Sequence, residues 1–362
     1  MWPPRRRLWG LFRGTMTDRD LQMPDRSLWG AYLMRLWRRR LLWRAFQARH
    51  QLSIVVNRTQ AIRPDDLLLV SVQRNEASRL PYFLEYYRAR GVSHFLFVDN
   101  GSDDGSAEYL AQQQDTSVWQ TQRSYRASRF GLDWLTWLQI RYCHRHWCLM
   151  ADADELLVYD GHERHDLRDL TVLLDRQGRV GFGALMLEPY PKGALERPAY
   201  VPGQDPMEIL EWFDPGPYRA ERQTPMGNLW LQGGVRERVF FATEPRKSPT
   251  LNKLPLMKWH RRYTYVNSTH SALPPRLNAL YSGPGETAPA GVLLHTKFLP
   301  EIVSKSAIEK SRGQHFARPE EMEGYYDALT QAPDLWSEQS LQYQGAGQLV
   351  ELGLMPSIDW QD

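Results

Sequence analysis

Three short apolar runs, each breaking into acidic or small polar residues, constrain the fold of this chain more than any other feature. Leu67 to Val72 leads into Gln73-Arg74-Asn75-Glu76, and His94 to Val98 into Asp99-Asn100-Gly101-Ser102-Asp103-Asp104-Gly105-Ser106. Trp147 to Met150 leads into Ala151-Asp152-Ala153-Asp154-Glu155. Compact apolar runs of this length suit strands buried on both faces of a parallel sheet. Between the first two, Leu80, Phe83, Leu84 and Tyr87 recur at the spacing of one helix face, and Gly91 suits a helix end. Strand, helix and strand make a βαβ unit, whose ligand side lies at the carboxyl ends of the strands. The expected class is therefore α/β with a mostly parallel central sheet.

Further along, the pattern predicts a helix over Ser128 to Tyr142, strands at Gly183 to Leu187 and Val239 to Ala242, and tail helices at Glu301 to Arg312 and Glu320 to Leu329. Residues 188–233 are rich in Pro, Gly and aromatics. A structureless connection of that length is uncommon, so the stretch reads as folded acceptor-side insertions. Three regions result: a basic Trp/Arg-rich extension over 1–65, a main domain over 66–300, and a helical addition over 301–362.

Charge is unevenly placed. Residues 1–50 hold 12 Arg against 3 Asp within a chain of net charge +3, so the remainder is acidic. Over 28–48 apolar residues at rough helical spacing are interleaved with Trp29, Trp37, Trp43 and a dense Arg set. This reads either as an interfacial amphipathic helix at an anionic membrane surface or as a basic helix docked on its own acidic domain. Arg35, Arg38, Arg39, Arg40 and Arg44 interrupt the one stretch long enough to be weighed as a membrane span. The opening lacks the apolar core and cleavage site of a secretory signal, and two cysteines, Cys143 and Cys148, are too few for a disulfide scaffold. The expectation is a cytoplasmic protein, peripheral at the inner face of the membrane if the basic helix binds lipid, with no specific nucleic-acid partner.

The chemistry gathers at strand ends. Asp152 and Asp154, two residues apart after a buried strand, put two hard oxygen ligands where a divalent ion, Mn²⁺ or Mg²⁺, can bridge carboxylates and substrate phosphates. Asp99, in a loop whose Gly101 and Gly105 permit sharp turns, suits hydrogen bonding to a nucleoside; an Asx cap explains the same residues without a ligand. His295, after Val292-Leu293-Leu294, is a candidate third metal ligand, and Lys297 a counter-charge for a diphosphate. Arg123, Arg126 and Arg129 are candidate pyrophosphate contacts, Arg129 foremost. His260 and His270 are candidates to shape an acceptor pocket. Trp134, Trp137, Trp147 and the Trp212-Phe213 pair offer stacking surfaces or core. No Gly-x-Gly-x-x-Gly fingerprint follows the first strand, which removes the sequence support for a dinucleotide cofactor.

Taken together, Val70 to Glu76, Phe97 to Ser106 and Met150 to Glu155 resemble glycosyltransferase family 2, with its GT-A fold, in a bacterial subgroup carrying an Asp-Ala-Asp-Glu metal-site motif. The resemblance implies a nucleoside-diphosphate-sugar pocket built from Val72, Arg74, Glu76 and Asp99, a metal at Asp152 and Asp154, and inversion at the anomeric carbon. Gly233-Gly234-Val235-Arg236-Glu237 is similar to the family's Gly-Gly-aromatic-Asp-Glu element, with Val235 and Arg236 departing from it. Glu237 then stands as catalytic base or acceptor-positioning carboxylate, with Asp205, Glu208, Glu211 and Asp214 as competitors. His295 to Leu299, with Lys305, Arg312 and His315, resembles the late His element of the same subgroup. The implied activity is transfer of one sugar, from a uridine diphosphate sugar in the first place, to a hydroxyl of a glycan or glycolipid in surface-polysaccharide synthesis. Two other readings remain open: a metal-dependent nucleotide-sugar hydrolase, and a non-catalytic polyanion- or lipid-binding protein on the same fold.

Overall fold

The computed structural model describes residues 21–197, 199–314 and 322–361. Expectations resting on residues 1–20, on His315 and on the start of the Glu320 helix lie outside them. Nine strands form one sheet. Seven come early: β1 (Ser53–Val56), β2 (Leu68–Gln73), β3 (His94–Asp99), β4 (Thr116–Gln120), β5 (Trp147–Met150), β6 (Glu155–Val158) and β7 (Gly181–Leu187). Strands Asn252–Lys258 and Ala290–His295 complete it. The spatial order is β1, β4, β3, β2, β5, then 252–258, β7, 290–295 and β6.

Strands β4, β3, β2 and β5 pair in parallel, as do β7 and 290–295. Strands β1, 252–258 and β6 run against them. The sheet is thus mixed but largely parallel, flanked by helices in an α/β arrangement. Residues in β2, β3, β5 and β7 are buried throughout, as near-continuous apolar runs require.

Helix α1 (Leu28–Ala48) is capped by the Ser27 hydroxyl accepting from the Gly30 amide. Helix α2 (Leu80–Ala89) turns Leu80, Phe83, Leu84 and Tyr87 inward and begins with Pro81 in its first turn. Each fully buried aromatic or Leu of this face contributes roughly 1.5–3 kcal/mol. Helices α3 (Ser106–Gln112), α4 (Leu132–Tyr142) and α5 (Leu167–Arg176) follow, the last closed by an Asp166/Asp169 capping box. The main core takes residues from nearly every sheet strand. A second cluster joins Tyr190, Leu210, Val235 and Phe241 to Phe298, Leu299, Tyr325 and Leu329, fastening the tail to the insertions.

Several predicted elements moved. Helix α2 starts at Leu80 rather than Glu76, and α4 at Leu132 rather than Ser128, because the residues before each are spent on turns. Arg129, Phe130 and Gly131 all take positive φ, which no right-handed helix accommodates. The strand expected at Val239 to Ala242 is instead the end of a helix, α6 (Gly234–Phe240). Within the 188–233 stretch, Tyr218–Gln223 and Asn228–Gly233 form an antiparallel hairpin. Trp212–Phe213 pairs with Leu341–Gln342 near the end of the chain. The tail helices are α7 (Ile302–Arg312) and α8 (Glu323–Thr330).

Candidate functional site

At the carboxyl edge of the sheet, Asp152 lies two positions beyond the last paired residue of β5 and Glu188 one beyond that of β7, while His295 ends the 290–295 strand. Strand β6 begins at Glu155, paired with His295 across the antiparallel ladder, so the Asp152-to-Glu155 turn is pinned against the 290–295 strand. The Thr296 amide donates to the Asp154 carbonyl at 2.7 Å and tightens that seam.

The side chains continue the contact. His295 Nε2 is 3.1 Å from Asp154 Oδ2, and its Nδ1 is 3.1 Å from Glu188 Oε1. Glu188 in turn holds Arg236, Nε to Oε1 at 2.6 Å, with both side chains at 5% exposure or less. Asp154, His295, Glu188 and Arg236 therefore form one linked chain of side chains from strand end to helix α6. Burial alone would raise the Asp154 carboxyl, but His295 holds it well below the usual carboxylate range. Burial opposes charge on His295 too, yet Asp154 and Glu188 on its two faces raise its pKa. Against the same burial, Arg236 and then His295 hold Glu188 at about 2.

A second ion pair lies beside it. Lys253, buried on the 252–258 strand, places Nζ 2.7 Å from Glu155 Oε1 and 3.8 Å from Asp152 Oδ2. Burial and the adjacent Glu155 raise the Asp152 carboxyl. Lys297 stands over the Tyr325 ring at 5.8 Å, and burial, with Arg236 nearby, lowers its pKa to about 8. Arg79, at the start of α2, bridges Glu76 and Glu301 at 2.9 Å each, and Lys305 joins Glu76 at 2.9 Å. The acidic turn thus has four cations around it: Arg79, Arg236, Lys253 and Lys297.

The structure brings Asp154 and His295 into contact and places Asp152 beside them, turned toward Lys253. Among the described residues no group of three or more His, Cys, Asp and Glu is arranged to hold a metal ion. A carboxylate and an imidazole nitrogen are side by side, and Glu188 fixes the other ring nitrogen, as outer carboxylates do for metal-bound histidines.

Asp99 is fully buried and accepts from the Ser102 amide and hydroxyl, with Gln73 and Gln120 amides at 3.4 Å. It is an Asx turn in the loop it was expected to open to a nucleoside. That loop is laced to residues 75–77: the Asn75 amide donates to Ser102 Oγ, Glu76 to Ser106 Oγ and Ala77 to Asp104. Arg74 donates to the Asn100 carbonyl. Val72, in β2, packs against Gly131, which has positive φ and where a Cβ would come within 2.7 Å of Val72 Cγ1.

Other expected residues are engaged elsewhere. Arg129 bonds Asp133 at 2.7 Å and the Tyr265 carbonyl at 2.9 Å. Glu237 is paired with Arg219 and accepts from Ser248 Oγ at 3.0 Å. Its neighbour Arg236, read as a departure from the family pattern, is the residue that reaches the strand ends. Asp214 is held by Arg238 and Tyr190. His270 bonds the Asn252 carbonyl, while His260 follows the 252–258 strand beyond the start of β5, at the opposite edge of the sheet. Trp134 is core.

Sequence reasoning missed Glu188, Lys253 and Arg79 as site residues. Glu188 carried a usable signal, since it follows a buried strand directly, as the Asp152 turn and His295 do.

No protein-family model and no curated protein matches the chain. Solved structures that align with it include a chain described as a glucose-1-phosphate thymidylyltransferase from Bacillus anthracis in complex with a sucrose. That alignment has 8% identity, covers 53% of this chain and 71% of that one, and has a TM-score of 0.27. A 4-diphosphocytidyl-2C-methyl-D-erythritol synthase aligns at 14% identity over 38% of this chain and 64% of that one, with a TM-score of 0.23. Both are weak, partial likenesses.

Proposed function

We propose that this chain is an inverting glycosyltransferase of the family-2 type, moving one sugar from a nucleoside-diphosphate sugar to a hydroxyl of a glycan or glycolipid in surface-polysaccharide synthesis. A uridine diphosphate sugar is the first donor to try. The observation that carries the reading is the buried chain Asp154–His295–Glu188–Arg236 at the carboxyl edge of the sheet. Sugar transfer needs fixed charge around a departing diphosphate and a positioned acceptor hydroxyl, and preorganised charge in a water-poor site serves the first need.

In this reading Asp154 and His295, with Asp152 beside them, would hold Mn²⁺ or Mg²⁺. When bound, that ion supplies Lewis-acid charge to the diphosphate. Lys297, Arg236 and Lys253 fix the remaining charge balance of the pocket. The end of β2 with Val72, the following Arg74 and Glu76, and the Asp99 turn hold the nucleoside side. Glu237 is the acceptor-side carboxylate, with its rotamer set by Arg219 and Ser248.

Product analysis with a panel of nucleotide sugars and hydroxyl acceptors tests the assignment. A sugar adduct that forms only with an acceptor present supports it. Donor cleavage that acceptors neither suppress nor divert makes the chain a hydrolase instead. Within a working assay, Glu237→Gln is expected to retain donor affinity and lose roughly 10²-fold or more of transfer, the range of a lost general base. Unchanged transfer removes Glu237 from the mechanism.

A further inference from the structure

Helix α1 is apolar on two opposite sides. Leu41, Ala45 and Ala48 are buried on the side that meets α4. Leu28, Trp29, Tyr32, Leu33, Leu36 and Trp43 are exposed, with Leu28 at 93%, Trp29 at 66% and Trp43 at 61%. At 100° per residue these six fall within an arc of about 140°, centred nearly opposite the buried stripe, along a helix about 30 Å long. An apolar face of this size on a soluble body marks a contact surface.

The same face is ringed by cations. Arg35, Arg39 and Arg40 are exposed among the apolar side chains. Arg262 and Arg276, exposed on neighbouring loops, lie close enough to Arg38 to add, with Arg35, to the lowering that burial imposes on it. The preceding residues repeat the composition, with Trp2, Trp9 and Phe12 among Arg5, Arg6, Arg7 and Arg13. The surface is also fixed to the domain. Arg44 bonds Asp133 at 2.9 Å and the Ala127 carbonyl at 3.0 Å, Phe46 meets Trp137 edge-on, and Trp134 Nε1 donates to Gln51 at 2.8 Å.

We infer that the outer face of α1 docks the protein onto an anionic lipid surface, with Trp29, Trp43 and the leucines entering the headgroup boundary and the flanking arginines on phosphate. A soluble polyanion would engage the arginines and gain nothing from Leu28, Leu33 and Leu36. A lipid interface takes both sets at once. The docking is independent of the reaction assigned above.

The test uses the full chain with phosphatidylcholine vesicles, with and without phosphatidylglycerol, read by co-sedimentation and by tryptophan emission. Binding to the anionic vesicles with a blue-shifted emission is expected, and little binding to the neutral ones at physiological salt. Leu28→Ser/Trp29→Ser/Trp43→Ser changes exposed side chains, so its melting temperature should match the parent while vesicle binding is lost. Arg39→Glu/Arg40→Glu should weaken anionic-vesicle binding by at least about tenfold. Failure of the parent chain to sediment with anionic vesicles even at low salt overturns the inference. So does a triple-serine variant that binds vesicles like the parent but loses half its solution mass, which would make the face a contact between two copies. Capture of parent and triple variant alike by dextran sulfate, with no vesicle binding, assigns the surface to polyanions and overturns it as well.

Discussion

Replacing Glu188 with Ala would strand Arg236 as an unpaired cation at 4% exposure, while His295 would keep Asp154 as a partner. Breaking a buried pair from one side costs about 3–5 kcal/mol, whereas replacing both partners by apolar residues of similar volume can be neutral. Denaturant titration should therefore find Glu188→Ala destabilised by that amount and Glu188→Leu/Arg236→Met largely restored. A double variant as unstable as the single one would mean that Arg236 depends on other partners. The pairing also explains what the sequence could not show. Glu188 meets Arg236 across 48 positions and His295 across 107, and no local pattern encodes such distances. The acidic turn and His295 were legible because each follows an apolar run. Arg236 was legible only as an oddity in a motif, and Lys253, on a strand the sequence pattern did not predict, not at all.

Helix α6 shows how an element sets the site. Gly233 precedes it at φ 139°, where a Cβ would collide with the Pro217 carbonyl oxygen of the hairpin. The two glycines let the chain leave the 228–233 strand and start a helix at once, which puts Arg236 under Glu188. Gly233→Ala is expected to cost about 1–3 kcal/mol through backbone strain and to reduce transfer beyond that, because Arg236 moves with the helix. A melting temperature equal to the parent's would contradict this account of the turn. Apolar run length and period revealed most of the parallel strands and α2. They misread Val239 to Ala242 as a strand, because in a seven-residue helix too few turns exist for a period to register. They also set α4 too early, since the positive φ values of Arg129 and Phe130 have no residue-type signature.

For the molecule as a whole, one carboxyl away from the site gives stability a pH dependence. Burial pushes Glu286 up to about 8, though the Ser282 amide, Arg179 and Arg222 oppose the rise. Between its unfolded pKa near 4.3 and its folded value, the native state keeps a proton that the unfolded chain has released. Stability should thus fall as pH rises through that window, by at most about 1.4 kcal/mol per pH unit, and level off above it. Glu286→Gln should flatten that decline and be the more stable protein at alkaline pH. An unchanged slope would show that Glu286 does not titrate as its burial requires. The broad α/β layout was legible from sequence, whereas the fastening of the tail to the insertions, through Phe298, Tyr325 and Val235, was not. A crystal structure of the chain with Mn²⁺ and a non-hydrolysable uridine diphosphate sugar tests the donor site at the Asp154–His295 pair. The diphosphate is expected at the carboxyl edge of the sheet, with the ion on Asp154 and His295 and the sugar facing the Arg236 side. A nucleotide bound elsewhere, with Asp154 and His295 still closed on each other, would overturn that assignment.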